Sequence, residues 1–94
     1  MNVYTRPNNK GVVQHIRYSS MSSSTPCFNL QSKHIGSINL NDPHIKLTFY
    51  RSNDCMGTPI RNFKPTCTHS QKLILKAKSV SIQKLNPLQN SLPL

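Results

Sequence analysis

The same tyrosine, glycine and serine punctuation occurs twice along the chain, and this repeat limits the fold more than any other feature of the sequence. Tyr4-Thr5-Arg6-Pro7-Asn8-Asn9-Lys10-Gly11 and Tyr50-Arg51-Ser52-Asn53-Asp54-Cys55-Met56-Gly57 each set a tyrosine and a glycine seven positions apart. Each pair is followed well downstream by a serine that opens an alternating run, Gly36-Ser37-Ile38-Asn39-Leu40 after the first and Lys78-Ser79-Val80-Ser81-Ile82 after the second. Self-similarity on this scale marks duplicated supersecondary units, neither of which buries its apolar face alone. In a chain of 94 residues the two copies must share one core, with no room for separate catalytic and regulatory modules.

The segments around the repeat read as strands. Ile45, Leu47 and Phe49 fall on one face of Ile45-Lys46-Leu47-Thr48-Phe49-Tyr50, and Ile38 with Leu40 and Val80 with Ile82 alternate in the same way. These seven residues are the expected core. Asn41-Asp42-Pro43 is a turn cluster, Ser19 to Pro26 reads as a loop, and the tail over 86–94, with Pro87 and Pro93, is expected to be flexible. Leu73-Ile74-Leu75-Lys76-Ala77-Lys78 fits either a strand or a single helical turn, being too short for an independent helix. Ala77 is the only alanine and hydrophobic residues are 35% of the chain, so helix formers are scarce and an all-β fold is expected.

Charge restricts function. Twelve Lys and Arg against two Asp and Glu give a formal +10, enough to cast a positive potential over so small a surface and to favour an anionic partner. No stretch approaches the ~20 apolar residues of a membrane span, and Met1-Asn2-Val3-Tyr4-Thr5-Arg6-Pro7 lacks the apolar core of a secretory signal. Cys27, Cys55 and Cys67 fit no two-pair zinc spacing, and three cysteines allow at most one internal disulfide.

Tyrosine, glycine and serine in this order and spacing resemble the Greek key motif of the βγ-crystallin superfamily, in which two copies make one domain. The likeness runs from residue 2 to about residue 84, and Cys27-Phe28-Asn29-Leu30-Gln31 ahead of Gly36-Ser37-Ile38 also resembles the stretch leading out of a first motif. It implies an all-β sandwich of two Greek keys, over 1–42 and 43–85, nearer in character to small secreted microbial and fungal members than to lens proteins. Tyr4, Gly11 and Ser37 in the first motif, and Tyr50, Gly57 and Ser79 in the second, would then be architectural. The ring covers a folded-over hairpin, glycine relieves a positive φ, and the serine hydroxyl pins the hairpin. The family's aromatic residue two positions before the glycine is replaced by Asn9 and by Cys55. A disulfide at Cys55 would compensate in the second motif. Cys55 with Cys67 is the expected pair because both belong to that motif; Cys27 with Cys55 is the alternative, and a reducing compartment would leave all three as thiols. Calcium sites of the superfamily draw on acidic or amide residues just ahead of the motif serine, where this chain has Ser32-Lys33-His34-Ile35-Gly36 and Ile74-Leu75-Lys76-Ala77-Lys78. Lysines stand in place of ligands, so neither calcium nor any other cofactor is expected.

Catalysis is not expected either. Asp42 and Asp54 both sit in turn contexts, and none of His15, His34, His44 and His69 lies in a signature that would activate a cysteine. Cys67 and His69 could share a strand face, a spacing better explained by coincidence, and the three dispersed glycines form no phosphate loop. The expected protein is non-enzymatic and, by the resemblance, secreted. It would act through its surface on a cell surface, glycan or lipid, as a toxin, inhibitor or effector. Arg51, Arg61 and Lys64 about one corner and Lys72, Lys76 and Lys78 near the other are its candidate anion contacts. The alternatives are a basic RNA- or ribosome-associated protein, with nucleic acid as partner, and the product of an unselected reading frame. Only the last predicts no cooperative folding. Circular dichroism is expected to show a single sharp β-type melting transition, and a featureless melt would favour the unselected frame.

Overall fold

The computed structural model describes residues 1–17, 25–40, 44–65 and 71–85. Residues 18–24, 41–43, 66–70 and 86–94 lie outside the described residues, and with them most of the loop expected over Ser19 to Pro26, the turn expected at Asn41-Asp42-Pro43, Cys67, His69 and the tail expected to be flexible. Eight strands follow one another: β1 (Asn2–Arg6), β2 (Lys10–His15), β3 (Cys27–Asn29), β4 (His34–Asn39), β5 (Ile45–Tyr50), β6 (Pro59–Phe63), β7 (Gln71–Lys76) and β8 (Ser79–Lys84). A short 3-10 turn, Asn53–Cys55, lies between β5 and β6, and no α-helix occurs among the described residues. The ambiguous Leu73 segment is therefore mostly strand. Backbone groups on one side of it are taken up by the ladder to β4, which outweighs any local helical preference.

The strands form two four-stranded antiparallel sheets, β2-β1-β4-β7 and β3-β8-β5-β6. In each half the fourth strand lies beside the first, as in a Greek key. The third strand of each half crosses to the other sheet, so β3 pairs with β8 and β7 pairs with β4. Neither half can therefore complete its own sheet.

One apolar cluster joins the sheets. Val3, Ile35, Ile38 and Leu73 come from the first, and Ile45, Leu47, Phe49, Val80 and Ile82 from the second, with Ile16, Leu40 and Ala77 from the connections. All seven residues expected from alternation are buried. The central strands β4 and β8 also bury the serines that open their alternating runs, so both faces of those strands are enclosed at that point. At the chain start, the Met1 amine donates to the Ile16 carbonyl at 2.9 Å, and partial burial lowers its pKa.

The hydrogen bonds about the motif serine are the same in the two halves. Tyr4 lies opposite Ser37 and Tyr50 opposite Ser79. Ser37 Oγ donates to the Arg6 carbonyl at 2.7 Å and accepts the Asn9 N–H at 3.0 Å. Ser79 Oγ donates to the Ser52 carbonyl and accepts the Cys55 N–H at 2.9 Å. Both serines are wholly enclosed, and each closes the hairpin that folds over its sheet. Gly11 and Gly57 each take φ +82°, and the residues ahead of them also turn left-handed: Asn8 and Asn9 in one corner, Asp54 and Cys55 in the other. Gly36 answers a different need. A Cβ there would lie 2.3 Å from the Arg6 carbonyl carbon, so the first hairpin can close only over a residue without a side chain.

The disulfide corrects the expected pairing. Cys27 is bonded to Cys55, not Cys55 to Cys67. Membership of one motif suggested the latter, but β3 leaves its own half to pair with β8, which carries Cys27 to the second corner. Asn29 on the same strand reinforces the junction, accepting the Asp54 N–H at 2.7 Å and donating to Asp54 Oδ1 at 3.0 Å.

Four measurements check this account. Ser37→Ala and Ser79→Ala should each cost about 2 to 4 kcal/mol, since each removes two bonds and strands a backbone N–H and carbonyl. Gly36→Ala should cost about 3 kcal/mol or more, against about 1 to 2 kcal/mol for Gly57→Ala, whose new Cβ meets nothing within 4 Å. An equal loss of melting temperature for the two glycine variants would contradict the close approach of Arg6. Non-reducing peptide mapping should recover Cys27 linked to Cys55. Its reduction should cost about 3 to 4 kcal/mol, as expected for a crosslink spanning 28 positions.

Candidate anion-binding site

The connection from β7 to β8 is bonded through its backbone to both halves of the chain. The Ala77 side chain is buried, and its N–H donates to the Lys33 carbonyl at 2.9 Å. The Lys78 N–H donates to the Tyr50 carbonyl at 2.9 Å, and the Lys78 carbonyl accepts the Leu30 N–H at 2.8 Å. Three backbone bonds thus fix this short turn to the approach of β4, the end of β5 and the exit of β3. Burying Ala77 leaves its neighbours, Lys76 and Lys78, on the outside.

The result is a shallow depression of about 280 Å³ lined by Lys33, Arg51, Lys76, Ala77 and Lys78. All four of its charged residues are exposed. No acidic residue lines it. Asp54, the one acid among the described residues, is engaged with Asn29. Cations held together on rigid backbone without a counter-charge form a local positive field that an anion would relieve. Lysine supplies rotatable donors on a flexible stem, whereas Arg51 offers a planar fork suited to oxyanions.

Arg51, Lys76 and Lys78, expected at separate corners, are brought to one site. Arg61 on β6, Lys64 just beyond it and Lys72 on β7 are exposed and do not line the depression. Lys33 was not among the expected anion contacts. Its sequence context gives no hint of the backbone bond to Ala77, and its position ahead of the motif serine was the only available signal.

Among the described residues no three His, Cys, Asp or Glu side chains converge, and no buried side-chain polar atom lacks a partner. His15 Nδ1 lies 2.7 Å from Asn2 Oδ1 on an exposed edge, and His34 is exposed. The residues around the depression do not fit a calcium ion, which needs several oxygen ligands and net negative charge. Comparison with family models, with curated proteins and with solved structures found no match. Titration with calcium in a calorimeter is expected to give no binding heat; a micromolar isotherm would overturn this assignment of charge.

Proposed function

We propose that this is a non-enzymatic, secreted, crystallin-like protein that binds an anionic partner through the depression formed by Lys33, Arg51, Lys76 and Lys78. The observation that carries the reading is the convergence of these cations, from segments far apart in the chain, around a turn locked by three backbone hydrogen bonds. The repeated hairpin lock at Ser37 and Ser79 supports the relationship to the βγ-crystallin superfamily. The Cys27–Cys55 disulfide supports an oxidising compartment. A toxin, inhibitor or effector role would use the same surface.

A charge-matched pair of variants tests the site. Wild-type protein should be retained on heparin at low salt and elute well below 1 M, where the Debye length falls to ~3 Å. Arg51→Gln/Lys76→Gln/Lys78→Gln should elute much earlier. Arg61→Gln/Lys64→Gln/Lys72→Gln, with the same loss of charge, should shift less. Equal shifts would show that overall charge acts without a site.

A further inference from the structure

A second depression adjoins the first, and Arg51 lines both. Its volume is about 290 Å³, and its wall includes Met56, Pro59 and Ile60. Met56 is 64% exposed and Ile60 36%, so both present apolar surface beside the cluster of cations.

The internal repeat shows that the fold does not require an apolar side chain at the position of Met56. In the first corner the position corresponding to Met56 is Lys10, while Ile60 falls at the irregularity in the β5–β6 ladder, between Pro59 opposite Tyr50 and Arg61 opposite Phe49, and has no direct counterpart. Both corners nevertheless make the same serine-centred hydrogen bonds and carry glycine at φ +82°. The second corner is also the braced one, through Cys27–Cys55 and the paired Asn29 and Asp54 bonds, so Met56 is presented from a restrained backbone. The turn that carries it is closed by the Met56 N–H donating to the Asn53 carbonyl at 3.3 Å.

Cations and protruding apolar side chains on one continuous surface match the chemistry of an anionic bilayer. Phosphate and carboxylate headgroups neutralise Lys and Arg at the interface, while apolar side chains enter the acyl boundary. A soluble glycan or nucleic acid backbone would satisfy the cations and leave Met56 and Ile60 in water. We infer that the partner of this surface is an anionic phospholipid bilayer, with Lys33, Arg51, Lys76 and Lys78 against the headgroups and Met56 and Ile60 inserted beside them. The inference rests on the anion-binding reading of the depression.

Cosedimentation with vesicles tests it. Wild-type protein should bind vesicles of phosphatidylcholine containing phosphatidylserine and not those of phosphatidylcholine alone. Met56→Ser/Ile60→Thr should lose about tenfold or more in vesicle affinity, as expected for withdrawing two partly buried apolar side chains, with heparin elution and melting temperature unchanged. Arg51→Gln/Lys76→Gln/Lys78→Gln should lose both vesicle and heparin binding. The chain has no tryptophan, so Met56→Trp supplies a single reporter whose emission should shift to the blue with phosphatidylserine vesicles and not with heparin. Heparin retention that depends on the depression, without vesicle binding or without the blue shift, would overturn the bilayer while leaving the anion site standing. Heparin retention indifferent to the triple charge change would remove the anion site itself.

Discussion

Two buried hydroxyls hold the architecture together. Ser37 and Ser79 lie on the central strands and each clamps both sides of a fold-back turn, donating to one backbone carbonyl and accepting one N–H. Those backbone groups would otherwise be left at the sheet face with no partner, at a cost comparable to a lost hydrogen bond for each. The left-handed residues at both corners, and the glycines that end them, follow from the tight path the chain takes to reach that hydroxyl. Serine suits the position because it is small enough to sit inside a packed strand and still carries both a donor and acceptors.

The exchange of third strands turns these paired corners into one body. Because β3 completes the second sheet and β7 the first, each half supplies an edge strand that the other cannot make. Separation of the halves would cost the ladders to β8 and β4 as well as the shared apolar cluster. The same exchange brings Cys27 to Cys55 and the β7–β8 turn to Lys33. Crosslink and charge cluster alike are consequences of topology rather than of local sequence.

The halves differ where the fold leaves them free to. The first corner is closed by amide and hydroxyl contacts, with the Val12 N–H on Thr5 Oγ1 at 2.9 Å. The second adds a disulfide and a two-bond link between Asn29 and Asp54, and places Met56 outward. Extra bracing thus coincides with the side that carries Arg51 and both depressions.

Alternation, the repeat and the charge were all legible in the sequence. Period-two patterning is a relation between near neighbours, so Ile38, Leu40, Ile45, Leu47, Phe49, Val80 and Ile82 could be assigned inward without knowing what they pack against. Val3, Ile35 and Leu73 escaped, since β1 is a short mixed run, Ile35 precedes a bulge at Gly36, and Leu73 lies in a stretch that fits two periods. The three residues of β3 carry too little pattern to reveal their sheet. Without that assignment neither the partner of Cys55 nor the meeting of Lys33 and Arg51 with Lys76 and Lys78 could be derived. By itself the sequence determined an all-β chain with two like corners and a large positive charge, because propensity, periodicity and composition act locally or sum over residues. Only the tertiary structure decided which cysteine is bonded and which cations converge, because both depend on distances set when two strands change sheets to bury a common core.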